Sequence, residues 1–149
     1  MRVIVQRVTQ ASVTINNKTY NEIANGFLLL VGFTEGDGLA EIKYLVHKIS
    51  ELRVFSDAEG KMNLSIGQVQ GQILSISQFT LYAALKKGNR PSFTAAQNPE
   101  EAKKNYTMFN AALGQEGIIV RAGVFGADMQ VILTNDGPVT IIYDTNDLK

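Results

Sequence analysis

The chain contains no cysteine, a single histidine and only three prolines in 149 residues, and its formal net charge is zero. Without cysteine there can be no disulfide, no thiolate metal site and no cysteine nucleophile. That absence is compatible with a cytoplasmic protein, which is the expectation here, but does not require one. A Ser-His-Asp triad would have to be built on His47, which falls on a predicted helix away from the polar motifs described below. Neither a triad nor a three-histidine zinc site is expected, and carboxylate metal sites stay open. Zero net charge argues against broad electrostatic coating of a nucleic acid, so an RNA substrate would have to be gripped locally. Long apolar runs are missing too. The longest, Phe27–Phe33, is far too short to span a bilayer, and Met1–Arg7 alternates instead of forming an apolar signal segment. No membrane partner is expected.

What is present is the size and composition of one globular domain, 45% hydrophobic and 19% charged. Alternation dominates. Residues 2–8, 11–15 and 19–23 read as short strands with a hairpin turn at Asn16-Asn17, and Phe27–Phe33 reads as a buried strand. A helix follows, with Asp37 as its expected cap and Leu39, Ile42, Val46, Ile49 and Leu52 on one face. Residues 72–79 form the next core strand. Asn98-Pro99-Glu100-Glu101 then opens a second helix whose apolar stripe is Ala102, Tyr106, Phe109 and Leu113. Three strands close the chain, over 118–124, 129–134 and 139–143, and the polar tail 144–149 is free to fray. This order lacks the regular strand-helix alternation of a doubly wound sheet. The expectation is a single mixed α/β domain over residues 1–149, with mainly antiparallel, curved sheets and two principal helices.

Two motifs carry the chemistry. Ser77-Gln78-Phe79-Thr80-Leu81-Tyr82-Ala83 ends a core strand with four residues able to make side-chain hydrogen bonds. Asn135-Asp136-Gly137-Pro138-Val139-Thr140 places a Gly-Pro step between two alternating stretches, so the step must be an edge, a turn or a break. X-Pro bonds adopt cis at a cost of only about 0.5–1 kcal/mol in peptides. A cis Gly-Pro would turn two carbonyls to one side with no side chain in the way; an ordinary turn is the plainer reading. Lys86-Lys87-Gly88-Asn89-Arg90 is the best basic cluster and lies just beyond the first motif; Lys103-Lys104 is a second.

Together these segments resemble the D-aminoacyl-tRNA deacylases. Further matches are Gln6-Arg7-Val8 with Ala11-Ser12-Val13, Phe55-Ser56-Asp57 running to Lys61-Met62-Asn63-Leu64, Arg90-Pro91-Ser92-Phe93, and Phe125-Gly126-Ala127-Asp128-Met129-Gln130-Val131. They keep the family's order from the N-terminus to Thr140. The resemblance implies a β-barrel-like domain working as a homodimer, with sites near the interface. It also implies hydrolysis of the ester joining a D-amino acid to the 3′-terminal adenosine of tRNA, with no cofactor and no metal required.

Such hydrolysis needs a nucleophile, a proton acceptor and stabilisation of the oxyanion. The resemblance points to Ser77, Gln78, Phe79 and Thr80. Two readings of Thr80 stand: a nucleophile, for which no neighbouring base is apparent, or a residue that contributes its backbone N–H, as Phe79 does, while the ribose 2′-hydroxyl assists. The second is favoured. Gly137 and Pro138 are expected to hold the substrate amino group and exclude L side chains, which leaves glycyl-tRNA vulnerable. Arg7 would steady their loop. Phe125 and Met129 either line the pocket or pack the core; Gln78 and Phe79 would receive adenine, and Lys86, Lys87 and Arg90 would touch tRNA weakly. The rival readings are an RNA-end binding module without turnover, and an esterase or amidase acting on free D-amino acid derivatives.

Overall fold

The computed structural model describes residues 1–148, with side chains through Asp147. Eight strands and two helices follow one another as β1 (Arg2–Ile15), β2 (Lys18–Ile23), β3 (Gly26–Gly32), α1 (Leu39–Ser50), β4 (Phe55–Ser56), β5 (Met62–Leu64), β6 (Gln72–Ser77), α2 (Pro99–Gln115), β7 (Ile119–Ala122) and β8 (Gln130–Asp144). Single turns of 3-10 helix lie at Phe79–Tyr82 and Thr145–Leu148. The main sheet runs β2-β1-β3-β6-β7, with β8 on the other side of β1; β4 and β5 form a separate hairpin. Pairs involving β1 are antiparallel, whereas β3-β6 and β6-β7 are parallel and are connected through the two helices. The sheet curls into a nearly closed, barrel-shaped, single-domain α/β fold. Asn21 on β2 donates to the carbonyl of Ala122 on β7 at 2.7 Å, tying the two ends of the sheet together.

β3 explains why its sequence reads as an unbroken apolar run. Phe27, Leu29 and Val31 face a core shared with α1 and α2, while Leu28 packs in a second core with Val8, Val13, Leu74 and Ile76. A strand covered on both faces has no polar side to alternate with.

α2 forms as its sequence predicts: Asn98 accepts from the amide of Glu100 at 2.9 Å, and Ala102, Tyr106, Phe109 and Leu113 are buried. α1 differs at its start. Gly38 is the cap, and Asp37 instead accepts from the amide of Thr34 and from the Met1 ammonium, both at 2.7 Å. Leu39 is consequently outside the buried face, which Leu45 joins.

Three further boundaries differ. The Asn16-Asn17 turn forms, both residues having positive φ, but β1 passes through residues 9 and 10 without ending. It exchanges β3 for β2 as its neighbour there, so pairing continues where the apolar pattern lapses. The last two predicted strands are one strand, β8. It pairs with β1 on both sides of Gly137-Pro138, from Arg2 with Asp144 to Thr14 with Gln130. Since β8 pairs only with β1 among the described strands, Pro138 removes no ladder bond from a central position. After β8 the tail turns back: Thr145 is buried, its amide donates to the Met1 carbonyl, and its hydroxyl accepts from the Met1 ammonium. Lys149 lies outside the described residues.

Candidate active site

The last rung between β3 and β6 is the amide of Gln78 donating to the carbonyl of Val31 at 2.7 Å. The chain then leaves the sheet in the 3-10 turn Phe79–Tyr82, closed by the amide of Leu81 on the Gln78 carbonyl and the amide of Ala83 on the Thr80 carbonyl. At the start of such a turn the amides of Phe79 and Thr80 have no acceptor within the turn itself. Within the same turn the Gln78 side-chain amide donates to the Thr80 hydroxyl at 2.6 Å. An amide donor cannot take that hydroxyl's proton.

Gly32 permits this arrangement: a Cβ there would meet the Gln78 carbonyl oxygen at 2.9 Å and the Leu81 Cβ at 3.2 Å. Between the ends of β3 and β6 lies a cavity of about 280 Å³. Ser77, Gln78 and Phe79 line one side, and Phe125 and Met129 line another. For Phe125 and Met129 the sequence allows either pocket or core. They do both, Phe125 packing against the helix-side core and Met129 against the second. Beneath the cavity the Tyr106 hydroxyl donates to the Ser75 carbonyl at 2.7 Å, and its ring lies 6.0 Å from that of Phe125. Burial pushes the Tyr106 phenol above its ordinary pKa, so it remains a donor.

Gln97, Gly32 and Gly123 also belong to this region and were not anticipated. Gln97 is buried at the cavity wall, its side-chain amide donating to the Asp37 carbonyl at 3.0 Å. A Cβ on Gly123 would meet the Met129 sulfur at 2.6 Å. The legible signal was Gly32 itself, since a glycine in a strand marks close backbone approach.

The Gly137-Pro138 peptide is cis, and both residues are exposed. Arg7, itself buried, holds their loop from behind: Nε donates to the Asp136 carbonyl at 3.1 Å, and Nη1 donates to the Val54 carbonyl at 2.5 Å. The Asp136 carboxylate stands 3.5 Å from the Arg7 Nε. Asn135 closes the loop by accepting from the amide of Val139 at 3.1 Å and donating to the Thr140 hydroxyl at 2.9 Å.

One chain does not bring this loop to the cavity. Arg7, opposite the loop, pairs with Phe27 at the start of β3, whereas Ser77 pairs with Val31 near its end. Those positions are about 13 Å apart along the strand at ~3.3 Å per residue. Lys86, Lys87 and Arg90 are exposed on a loop whose base is the bridge between Ala84 and Ser92. His47 is exposed on α1. Among the described residues, no three His, Asp or Glu side chains are grouped to hold a metal ion.

A family model described as D-Tyr-tRNA(Tyr) deacylase matches residues 4–144, a span that includes both motifs. The chain belongs to the D-Tyr-tRNA(Tyr) deacylase family. Membership makes it a D-aminoacyl-tRNA deacylase, a hydrolase. A solved structure described as c-Myc DNA Unwinding Element Binding Protein is 40% identical, with a TM-score of 0.90, covering 97% of this chain and 98% of that one. A second, described as a probable eukaryotic D-amino acid tRNA deacylase, is 18% identical with a TM-score of 0.80, covering 95% and 97%. The second likeness is one of fold. Among the described residues, no helix is long and apolar enough to cross a membrane.

Proposed function

We propose that the protein cleaves the ester between a D-amino acid, or glycine, and the 3′-terminal adenosine of tRNA, returning free tRNA and rejecting L-aminoacyl-tRNA. The observation that carries this reading is the Phe79–Tyr82 turn, which opens at the cavity through Gln78 and Phe79 and gives the Thr80 hydroxyl an amide donor and no base. The terminal adenosine sits against Gln78 and Phe79, and the ester carbonyl points to the amides of Phe79 and Thr80. Water adds to the carbonyl carbon and the oxyanion forms against those two donors. The bond to the ribose 3′-oxygen then breaks, and the proton lost by water reaches that oxygen through the vicinal 2′-hydroxyl. A single oxyanion donor is worth about 2.7–4 kcal/mol in enzymes where it has been measured. No base on Thr80 is needed.

Chiral selection in this reading requires a second copy of the chain. Gly137-Pro138 is exposed, braced by Arg7 and distant from its own cavity along β3, which suits a group delivered into the partner's cavity. Ile132 and Ile142 on β8 are 62% and 68% exposed, apolar surface that a homodimer would cover. The Gly-Pro carbonyls receive the substrate amino group and the loop occupies the space an L side chain would need. A D side chain points outward, and glycine has nothing to be excluded. In this reading the protein acts in the cytoplasm, and the proposed steps use no metal or cofactor.

The test is deacylation of matched D-tyrosyl-, L-tyrosyl- and glycyl-tRNA with chelator present. Loss of the D and glycyl esters with the L ester spared supports the reading. Retention of all three esters with tRNA still bound would instead favour a binding role, the class of activity named for the 40% identical relative.

A further inference from the structure

Beyond the cavity, Phe79 is 57% exposed, yet its ring is fixed by Phe93 in an edge-on contact with centroids 5.0 Å apart and planes at 71°. Phe93 follows directly on Ser92, whose amide and carbonyl pair with those of Ala84 at 3.0 and 2.8 Å. That pair closes the loop Leu85-Lys86-Lys87-Gly88-Asn89-Arg90-Pro91, which carries three cations and no acidic residue in a chain of zero net charge. The segment after Phe93 is anchored as well, by the Thr34 hydroxyl donating to the Ala95 carbonyl at 2.6 Å. An exposed aromatic ring that lines the cavity, a second ring holding it and a cationic loop are thus joined through the Ala84–Ser92 bridge. Exposing a large ring costs apolar burial, and nothing in the hydrolytic step uses the Phe93 side chain.

We propose that Phe93 and the Lys86–Arg90 loop, next to the Phe79 ring that receives the terminal adenosine, form a stacking platform for the single-stranded nucleotides that precede it. This rests on the deacylase reading and extends it from the last nucleotide to the strand behind it. Bases stack on aromatic rings irrespective of sequence, and lysine and arginine track the phosphates between them. The single strand fits better than a duplex, because a ring at a cavity mouth can reach only a base already out of the stack. The platform accounts for how a neutral protein holds a polyanion at one end.

The experiment compares Phe93→Leu and Phe93→Trp with the parent on two substrates, D-tyrosyl-tRNA and D-tyrosyl-adenosine. Phe93→Leu is expected to lower kcat/KM on the tRNA by roughly tenfold, within the range of one lost base stack, with Phe93→Trp restoring most of it. On the adenosine substrate the change should be under about twofold. Equal losses on both substrates would overturn the platform, showing that Phe93 acts only by placing Phe79. No loss on either would overturn it too. Failure of the parent on both substrates would instead remove the deacylase reading, and the platform with it. As an independent readout, a Lys86→Glu, Lys87→Glu, Arg90→Glu variant should flatten the dependence of log KM on log salt for tRNA by roughly 2, at about 0.7 per phosphate contact. An unchanged slope would overturn the role of the loop.

Discussion

The side-chain amide of Gln78 donates to the hydroxyl of Thr80 at 2.6 Å, across one intervening residue of the same turn. The threonine oxygen is the acceptor in this bond, and the bond supplies it with no base. In the mechanism proposed above it is the peptide N–H of Thr80 that serves the oxyanion.

Replacing Thr80 by alanine keeps that N–H. Single-turnover deacylation of D-tyrosyl-tRNA by Thr80→Ala should remain within about fivefold of the parent, whereas loss of an oxyanion donor costs about 10²–10³. A fall of several orders of magnitude would mean that the hydroxyl is the nucleophile.

Arg7 is the brace of the Gly137-Pro138 loop. Arg7→Ala leaves the carbonyls of Asp136 and Val54 without their charged donor. The expected stability loss is about 3–6 kcal/mol in urea denaturation, from two charge-assisted bonds of about 1.5–3 kcal/mol each. Discrimination should suffer along with it, seen as a rise in L-tyrosyl-tRNA hydrolysis relative to the D ester. Undiminished discrimination would separate the loop's bracing from chiral choice.

Gly32→Ala pushes a methyl group into the Gln78 carbonyl oxygen, a backbone atom without room to yield. Overpacking of this kind costs about 1–3 kcal/mol. Because the displaced atom belongs to the turn proposed to hold the oxyanion, the kcat for D-tyrosyl-tRNA should fall by more than tenfold, with KM changing less. A normal kcat would show that the turn tolerates displacement.

Ile142 on β8 pairs with Ile4 of β1 and is 68% exposed in the single chain. Ile142→Lys removes nothing from either core, so folding should persist while sedimentation shifts from dimer to monomer. Activity should fall in parallel if a second copy completes the site. A dimer that survives the change places the interface elsewhere.

Asp144 lies beside Arg2, Oδ2 to Nε at 2.5 Å. Burial raises its carboxyl pKa, but the Arg2 hydrogen bond and the amide of Asn146 outweigh this and hold it below the ordinary carboxylate range. A depressed folded-state pKa contributes stability that is present above the unfolded value of about 4 and is lost as pH falls through the folded value. Arg2→Gln should therefore lower stability at pH 6 by no more than about 1 kcal/mol, since Arg2 is partly solvated, and the difference should vanish near pH 2. Urea midpoints at the two pH values decide it; a difference that persists in acid would assign the Arg2 contribution to its pH-independent contacts, the hydrogen bond from Nη1 to the Leu81 carbonyl at 2.8 Å and the Tyr82 ring 4.6 Å away.

Much of the fold was readable because its signals are local. Asn98-Pro99 starts α2 where a side-chain cap and a proline at the first turn demand it, and Asn16-Asn17 supplies the two positive φ values of a tight hairpin. The misplaced features all depend on partners remote in sequence. Asp37 looks like a helix cap, but it is drawn to the Met1 ammonium and to the Thr34 amide, leaving Gly38 to open α1. Residues 9 and 10 lack the apolar alternation of a strand, yet stay in β1 because β8 pairs beside them. Gly137-Pro138 looks like a strand end, but the same β1-β8 ladder resumes beyond it.

The sequence by itself determined the chemistry on offer: hydroxyl, amide and backbone donors at Ser77–Thr80, a Gly-Pro step at 137–138, and no histidine or cysteine near either. Those are properties of residue type and need no coordinates. Only the tertiary structure decided that Phe125 and Met129 line the cavity with Ser77 and Phe79, while Gly137-Pro138 lies beside Arg7 of β1, level with the start of β3 and away from the end that meets Ser77. That outcome rests on the register of strands far apart in the chain. A slip of one residue would turn Leu28 and Leu29 to each other's core, so the register is chosen by burying both faces of β3 at once.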